Sequence, residues 1–174
     1  TILSEKMSNL VGMEKDDILR AQMTGKVLWG GVRKAVKREL LITNEIRFST
    51  HMVGEEALYS FLILYFAKNI EFIEKDMYTY YVHEDSLSHS KTDDPWGDVA
   101  YSLKSYIKRM GVYEEYADTI NAFIITAAVV ALDRMAKNYK YNQFVNIARD
   151  KVKATRSQID FQYGIDYKHM DIKS

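Results

Sequence analysis

Apolar and polar positions follow a helical period over most of this chain. The stretch MEKDDILRAQMTG, residues 13–25, carries acids at its front and a glycine at its end, the polarity that suits a helix macrodipole and a C-cap. VRKAVKRELLIT, 32–43, sets Val32, Val36 and Leu40 on one face and Arg33, Lys34, Lys37 and Arg38 around the rest, which predicts a basic amphipathic helix. After the short extended segment NEIRFST comes EEALYSFLILYFAKN, 55–69, a helix so apolar in its middle that burial on most sides is expected. From Asp98 onward VAYSLKSYIKRMG, EYADTINAFIITAAVVALDRMAKN and NQFVNIARDKVKATRSQ give three further helices, read as a helical bundle over 95–158.

Between these blocks the period changes. IEFIEKDMYTYYVH, 70–83, is rich in Ile, Phe, Tyr and Val and alternates Ile70 and Phe72 with Glu71 and Glu74. That pattern predicts one or two β-strands over 70–82, beside another around 46–49. EDSLSHSKTDDPWG reads as a loop, and the tail from 160 to 174 is polar and aromatic without clear periodicity. One proline, Pro95, and eight glycines are few for an all-β protein. The expected fold class is α+β, predominantly helical, with a few short strands and a C-terminal helical bundle.

Composition narrows the functional classes. The 174 residues hold 24 Lys plus Arg against 24 Asp plus Glu, so no net field draws the chain to nucleic acid, and a nucleic-acid-binding reading is disfavoured. The absence of cysteine excludes disulfides, thiolate catalysis and Cys-based zinc sites, and fits a reducing, cytoplasmic setting. AFIITAAVVAL at 122–132 is about half of the roughly 20 residues a spanning helix needs, and reads as a core helix. The chain opens on Thr1, so a processed chain or a piece of a longer protein is expected.

Several residues are candidates for chemistry. Glu55 and Glu56 fall at the first turn of a helix, where the dipole stabilises a carboxylate by roughly 0.3 to 1 kcal/mol. They are either caps or, in the functional reading, a general base held where a helix start meets a cleft. His51, His83, His89 and His169 lack the spacing that puts two ligands on one helix face. His83, at the end of a strand-like run and before a loop, is placed to meet a metal or a phosphate. MTGKV has no Gly-rich loop around it and is no P-loop. Of the 13 tyrosines, Tyr78, Tyr80 and Tyr81 cluster, either to fill a half-buried face or to stack on a sugar or a base. The basic helix with Lys34, Lys37 and Arg38 is a solvated face or the lining of an anionic site.

Taken in order, VRKAVKRELL, then IRF, then GEEALYSFLILYFAKNIEFIEKDMYTYYVHEDSLS resemble the second half of bacterial family-2 glycosyltransferases, inverting enzymes of the GT-A type. The family shows a Trp-x-Lys-Leu-Tyr-Lys-Arg-x-Leu helix, an Ile-Arg-Phe strand, a Glu-Asp pair opening a helix, and a Tyr-x-Tyr-Arg-x-Arg strand before a Ser-rich loop. The resemblance runs from about Gly31 to His89 and more loosely into the helices after Pro95. It implies that Glu56 is the base that deprotonates the acceptor hydroxyl, that Glu55 and Lys34 bind the acceptor, and that His83 and Ser86 lie by the diphosphate, with His83 as a candidate metal ligand. It departs from the family at Glu56, where Asp is usual; at Val32 and Val36, where Trp and Tyr are; and at Tyr81 and His83, where arginines are.

The same resemblance implies an organisation and partners. Residues 1–94 would be the acceptor-side part of the catalytic domain and 95–174 a C-terminal helical extension. The nucleotide-binding half, with the Asp-x-Asp that holds Mn or Mg, is missing from the chain, so the fragment alone is expected to bind no cofactor and to be inactive. The whole enzyme would take a nucleotide sugar and a glycan or lipid-linked acceptor in capsule, lipopolysaccharide or other cell-surface polysaccharide synthesis. Peripheral membrane association and homo-oligomers are further expectations. The alternative is a non-catalytic helical interaction or dimerisation module that uses the apolar segments 57–67 and 122–132 as partner-binding surfaces.

Overall fold

The computed structural model describes residues 10–27, 29–31, 34–48, 55–73, 79 and 93–170. Among them the protein is predominantly helical and has no β-strand. It divides into two compact units, Thr1–His89 and Ser90–Ser174.

In the first unit, α1 spans Lys15–Met23, α2 Arg38–Thr43 and α3 Glu55–Phe66. Asp16 and Asp17 occupy the first turn of α1, and Arg20 pairs with Asp16 one turn on at 2.8 Å. The helix ends at Thr24, and Gly25 takes the turn-out at φ +86°, a left-handed conformation a side chain would strain. Ile18, Leu19, Ala21, Gln22 and Met23 are buried, and α1 packs on α3. Four consecutive residues of α3, Phe61 to Leu64, are buried, so this helix is covered on nearly every side, as its sequence requires.

Two expectations for this unit are corrected. Of the helix expected over 32–43, the described part forms only as Arg38–Thr43; residues 34–37 are irregular, Lys37 is extended as the N-cap, and 32–33 lie outside the described residues. The cause is local: the Lys34 amide bonds to Gly31 O at 3.1 Å, and its ammonium turns back on the carbonyls of Trp29 and Gly30. Helix α2 buries no residue, and of the expected apolar stripe Val36 and Leu40 are only half-buried. The expected strands are also absent where the chain is described, at 46–48, at 70–73 and at Thr79. The Ile46 amide is taken by Leu41 O at 2.9 Å, a turn bond that replaces a ladder bond, and Phe48 packs on α3. The rest of the strand prediction and most of the loop at 84–97 lie outside the described residues, as do Tyr78, Tyr80 and Tyr81.

In the second unit, α4 spans Gly97–Met110, α5 Tyr113–Asn138 and α6 Tyr141–Gln158, followed by a 3-10 turn at Phe161–Tyr163. Helix α5 is the hub on which α4 and α6 both pack. Ala117, Ala122, Ala127, Ala128 and Ala131 are buried along it, and small side chains allow close approach of neighbouring helices. Gly111, at φ +77°, closes α4 in the left-handed conformation. Among the described helices, α5 is long and apolar enough to cross a membrane, yet 56% of its apolar window is buried inside the protein, as in the core helix of a folded unit.

The tail folds back on α5. Asn121, completely buried, donates through Nδ2 to the carbonyls of Asp160 and Gly164, at 2.9 and 2.8 Å, and accepts the Asp160 amide at 3.0 Å. Met170 and His169 are buried as well.

Candidate functional site

The first unit brings one sequence-predicted residue into a defined polar arrangement. Glu56 is the second residue of α3, and its Oε1 accepts the Gly31 amide at 2.7 Å. Among the described residues that amide is the one hydrogen-bond partner of the Glu56 carboxylate. One carboxylate oxygen is thereby held in place on a rigid helix.

The loop that supplies the amide is itself fixed by α1 and α3. The Trp29 indole donates to Gln22 O at 2.6 Å, at the end of α1. Ser60, one turn after Glu56 on the same helix face, donates its hydroxyl to Trp29 O. The Gln22 side chain, completely buried, donates to Ala57 O at 3.1 Å. Lys34 Nζ donates to Trp29 O at 3.0 Å and Gly30 O at 3.2 Å, so the ammonium expected to meet an acceptor is turned onto its own segment. Trp29, Gly30, Gly31 and Lys34 are thereby tied to two helices, with Gly31 presented to Glu56.

A side chain at Gly31 would crowd both neighbours. A Cβ there would lie 3.2 Å from Glu56 Oε1 and 3.2 Å from Phe48 Cζ. Phe48 stacks on Tyr59 of α3 with ring centroids 4.0 Å apart and planes 16° from parallel. Tyr59 stands three residues after Glu56, so ring and carboxylate are carried by neighbouring positions of one helix.

The remaining predicted site residues are not joined to this cluster. Glu55 opens α3, but its side chain lies outside the described residues, and so do His83 and Ser86. Among the described residues no group of three or more His, Asp or Glu side chains is arranged to hold a metal ion, and the donor set for Mn or Mg is not found there. Sequence reasoning missed Trp29, Gly31, Ser60 and Phe48. Ser60, the one serine in the apolar middle of its helix, and the Gly30-Gly31 pair were the signals available for them.

The second unit holds a separate polar cluster. Asp166 Oδ2 accepts from Thr119 Oγ1 at 2.8 Å and lies 2.7 Å from His169 Nδ1, while Asp166 Oδ1 accepts the His169 amide at 3.2 Å. Burial pushes the Asp166 carboxyl up, and the hydrogen bonds from Thr119 and His169 with the His169 charge outweigh it, so the carboxyl sits below its ordinary value. Nearby, Tyr113 packs edge-on against Tyr163, with the Lys108 ammonium 4.5 Å from the centre of its ring. Burial, then Asp160 and Tyr163, push the Tyr113 hydroxyl up to about 12.

Comparison of the chain with protein-family models, with curated proteins and with solved structures finds no match in any of the three.

Proposed function

We propose that this chain is the acceptor-binding part of an inverting, nucleotide-sugar-dependent glycosyltransferase of cell-surface polysaccharide synthesis, with Glu56 as its base. The reading rests on the order of the sequence motifs. The observation that supports it best is the Glu56 carboxylate, anchored through Oε1 by Gly31 at the start of α3. An anchored carboxylate with a second oxygen to accept a proton is what a general base requires.

The chemistry assigned to it is a single displacement. The acceptor hydroxyl oxygen attacks the anomeric carbon of the sugar nucleotide as Glu56 takes the hydroxyl proton. The bond from that carbon to the diphosphate oxygen breaks, and the nucleoside diphosphate leaves with the electron pair, so the configuration inverts. Mn or Mg, held by a nucleotide-binding half, would neutralise charge on the leaving diphosphate. The described residues of this chain contribute the acceptor side.

The competing reading is a helical interaction module. Its two apolar segments are largely covered within their own units: Ala57 and Phe61 to Leu64 are buried in one, and Ala122, Phe123, Ile124, Ala127, Ala128 and Ala131 in the other. Phe66 and Val129 are the large apolar side chains of these two segments that stay exposed among the described residues, so the burial of the others favours the catalytic reading.

The test is sugar transfer from labelled nucleotide sugars by the protein joined to a nucleotide-binding half in its own reading frame, with E56Q as the comparison. Loss of transfer by about 10²-fold or more, with the fold intact, is the expected result for a general base. Undiminished transfer by E56Q overturns the assignment. Robust sugar-nucleotide hydrolysis by the 174-residue chain alone overturns the view that it is the acceptor side only.

A further inference from the structure

We propose that Phe48 is a stacking platform for a pyranose ring of the acceptor, so that the group glycosylated is a sugar lying on Phe48 with its hydroxyl toward Glu56. The proposal rests on the reading of Glu56 above and deepens it by naming the acceptor class.

The ring is open and fixed at once. Phe48 is 53% exposed, although one side of it lies flat on Tyr59 with centroids 4.0 Å apart. A lone exposed apolar side chain needs no explanation. This one is held by an aromatic partner on a buried helix and has a carboxylate beside it. Phe48 Cζ and Glu56 Oε1 each lie 3.2 Å from the point where a Gly31 Cβ would stand, so ring tip and carboxylate oxygen are at most about 6.4 Å apart. Glycine at 31 keeps the space between them free of side-chain atoms.

That pairing matches one ligand chemistry. An aromatic face is electron-rich, and the C–H face of a pyranose is apolar and weakly positive, so the two stack. The hydroxyls leave a sugar at its rim, where a carboxylate beside the aromatic face accepts them. A lipid chain would ask for a continuous apolar groove, and the Glu56 carboxylate makes this surface polar within about 6.4 Å of the Phe48 ring tip. An extended peptide would ask for an open strand edge, and none is present among the described residues.

The experiment is saturation-transfer NMR on the full 174-residue chain with methyl β-D-glucopyranoside, methyl β-D-galactopyranoside, methyl α-D-mannopyranoside and methyl N-acetyl-β-D-glucosaminide, with glycerol and uridine as controls. The expected result is transfer to the C–H protons of one face of at least one glycoside, absent with glycerol. F48L, which keeps the apolar volume without the ring, should abolish it; F48W should keep or strengthen it. E56Q should retain ring-face transfer, because stacking does not need the charge. No transfer to any glycoside, transfer unchanged in F48L, or transfer to uridine alone overturns the proposal. Should F48L fail to fold, F48W decides: a clearly weaker signal than wild type overturns it, and an equal or stronger one supports it. Failure here is separable from failure of Glu56 as base, which is read in the transfer assay of E56Q.

Discussion

Gly31 and Glu56, 25 positions apart in sequence, are joined by a 2.7 Å hydrogen bond from the glycine amide to Oε1. A backbone donor on an ionised acceptor is roughly twice as strong as a neutral pair. Glu56→Ala leaves a part-buried amide without its acceptor and is expected to cost about 1–3 kcal/mol, whereas Glu56→Gln keeps a neutral acceptor and should cost less than about 1.5 kcal/mol. Urea unfolding of the three proteins checks the order wild type, then Gln, then Ala. An Ala variant as stable as wild type means the bond contributes nothing to holding Gly31 against α3.

The helices were legible where composition left no choice. The apolar run of α3 and the alanine-rich run of α5 have no solvent-facing arrangement, and the acids and glycine around α1 mark both of its ends. The failures come from tertiary contacts that periodicity does not report. The 32–43 pattern reads as a helix, but nothing in it shows that the Lys34 ammonium closes on the carbonyls of Trp29 and Gly30 and holds 34–37 out of the helix. The alternation at 70–73 reads as a strand, and alternation alone supplies no neighbouring strand to pair with. At the site, Glu56 is visible as an acid at a helix start. Its partner is a backbone amide, which carries no side-chain signal at all.

Asn121 holds the tail. Its side chain makes three hydrogen bonds to the backbone of Asp160 and Gly164 from a completely buried position. Asn121→Ala removes all three and strands buried polar groups, an expected cost of about 3 kcal/mol or more. Hydrogen exchange across residues 160–170 should rise while α4 retains protection. Exchange unchanged in the tail would show that packing of His169 and Met170 suffices without the amide.

The Asp166 cluster makes the second unit sensitive to acid. The folded carboxyl lies below its ordinary value, so the unfolded chain binds the proton at higher pH than the folded one. The stability this contributes is fully present above the unfolded value of about 3.9 and is lost as pH falls through the folded value. Thr119→Val deletes one of the hydrogen bonds that lower it, so the folded carboxyl rises toward its unfolded value, and the variant, less stable at neutral pH, should lose less stability on acidification than wild type. Thermal melts of both proteins from neutral pH to about pH 3 read the shift, and coincident profiles would remove Thr119 from the account.

Tyr113 works at the other end of the pH scale. Its hydroxyl is buried with no hydrogen-bond partner among the described residues, and burial raises its pKa to about 12 against an unfolded value of about 10. The folded chain therefore keeps the proton where the unfolded chain releases it. The stability held by neutral Tyr113 is complete below about pH 10 and declines as pH climbs through 12. Tyr113→Phe deletes both the buried hydroxyl and its titration. The variant should be as stable as wild type at neutral pH, or more stable by about 1 kcal/mol, because a buried donor without a partner is unfavourable. Between about pH 10 and 12 its loss of stability with pH should be shallower, with the remaining slope carried in part by Tyr139 and Tyr163, whose hydroxyls are also raised. Near-ultraviolet absorbance titration of the folded proteins supplies the second readout, in which Tyr113→Phe removes a late-ionising tyrosine. A variant less stable than wild type at neutral pH would mean that the hydroxyl has a partner after all.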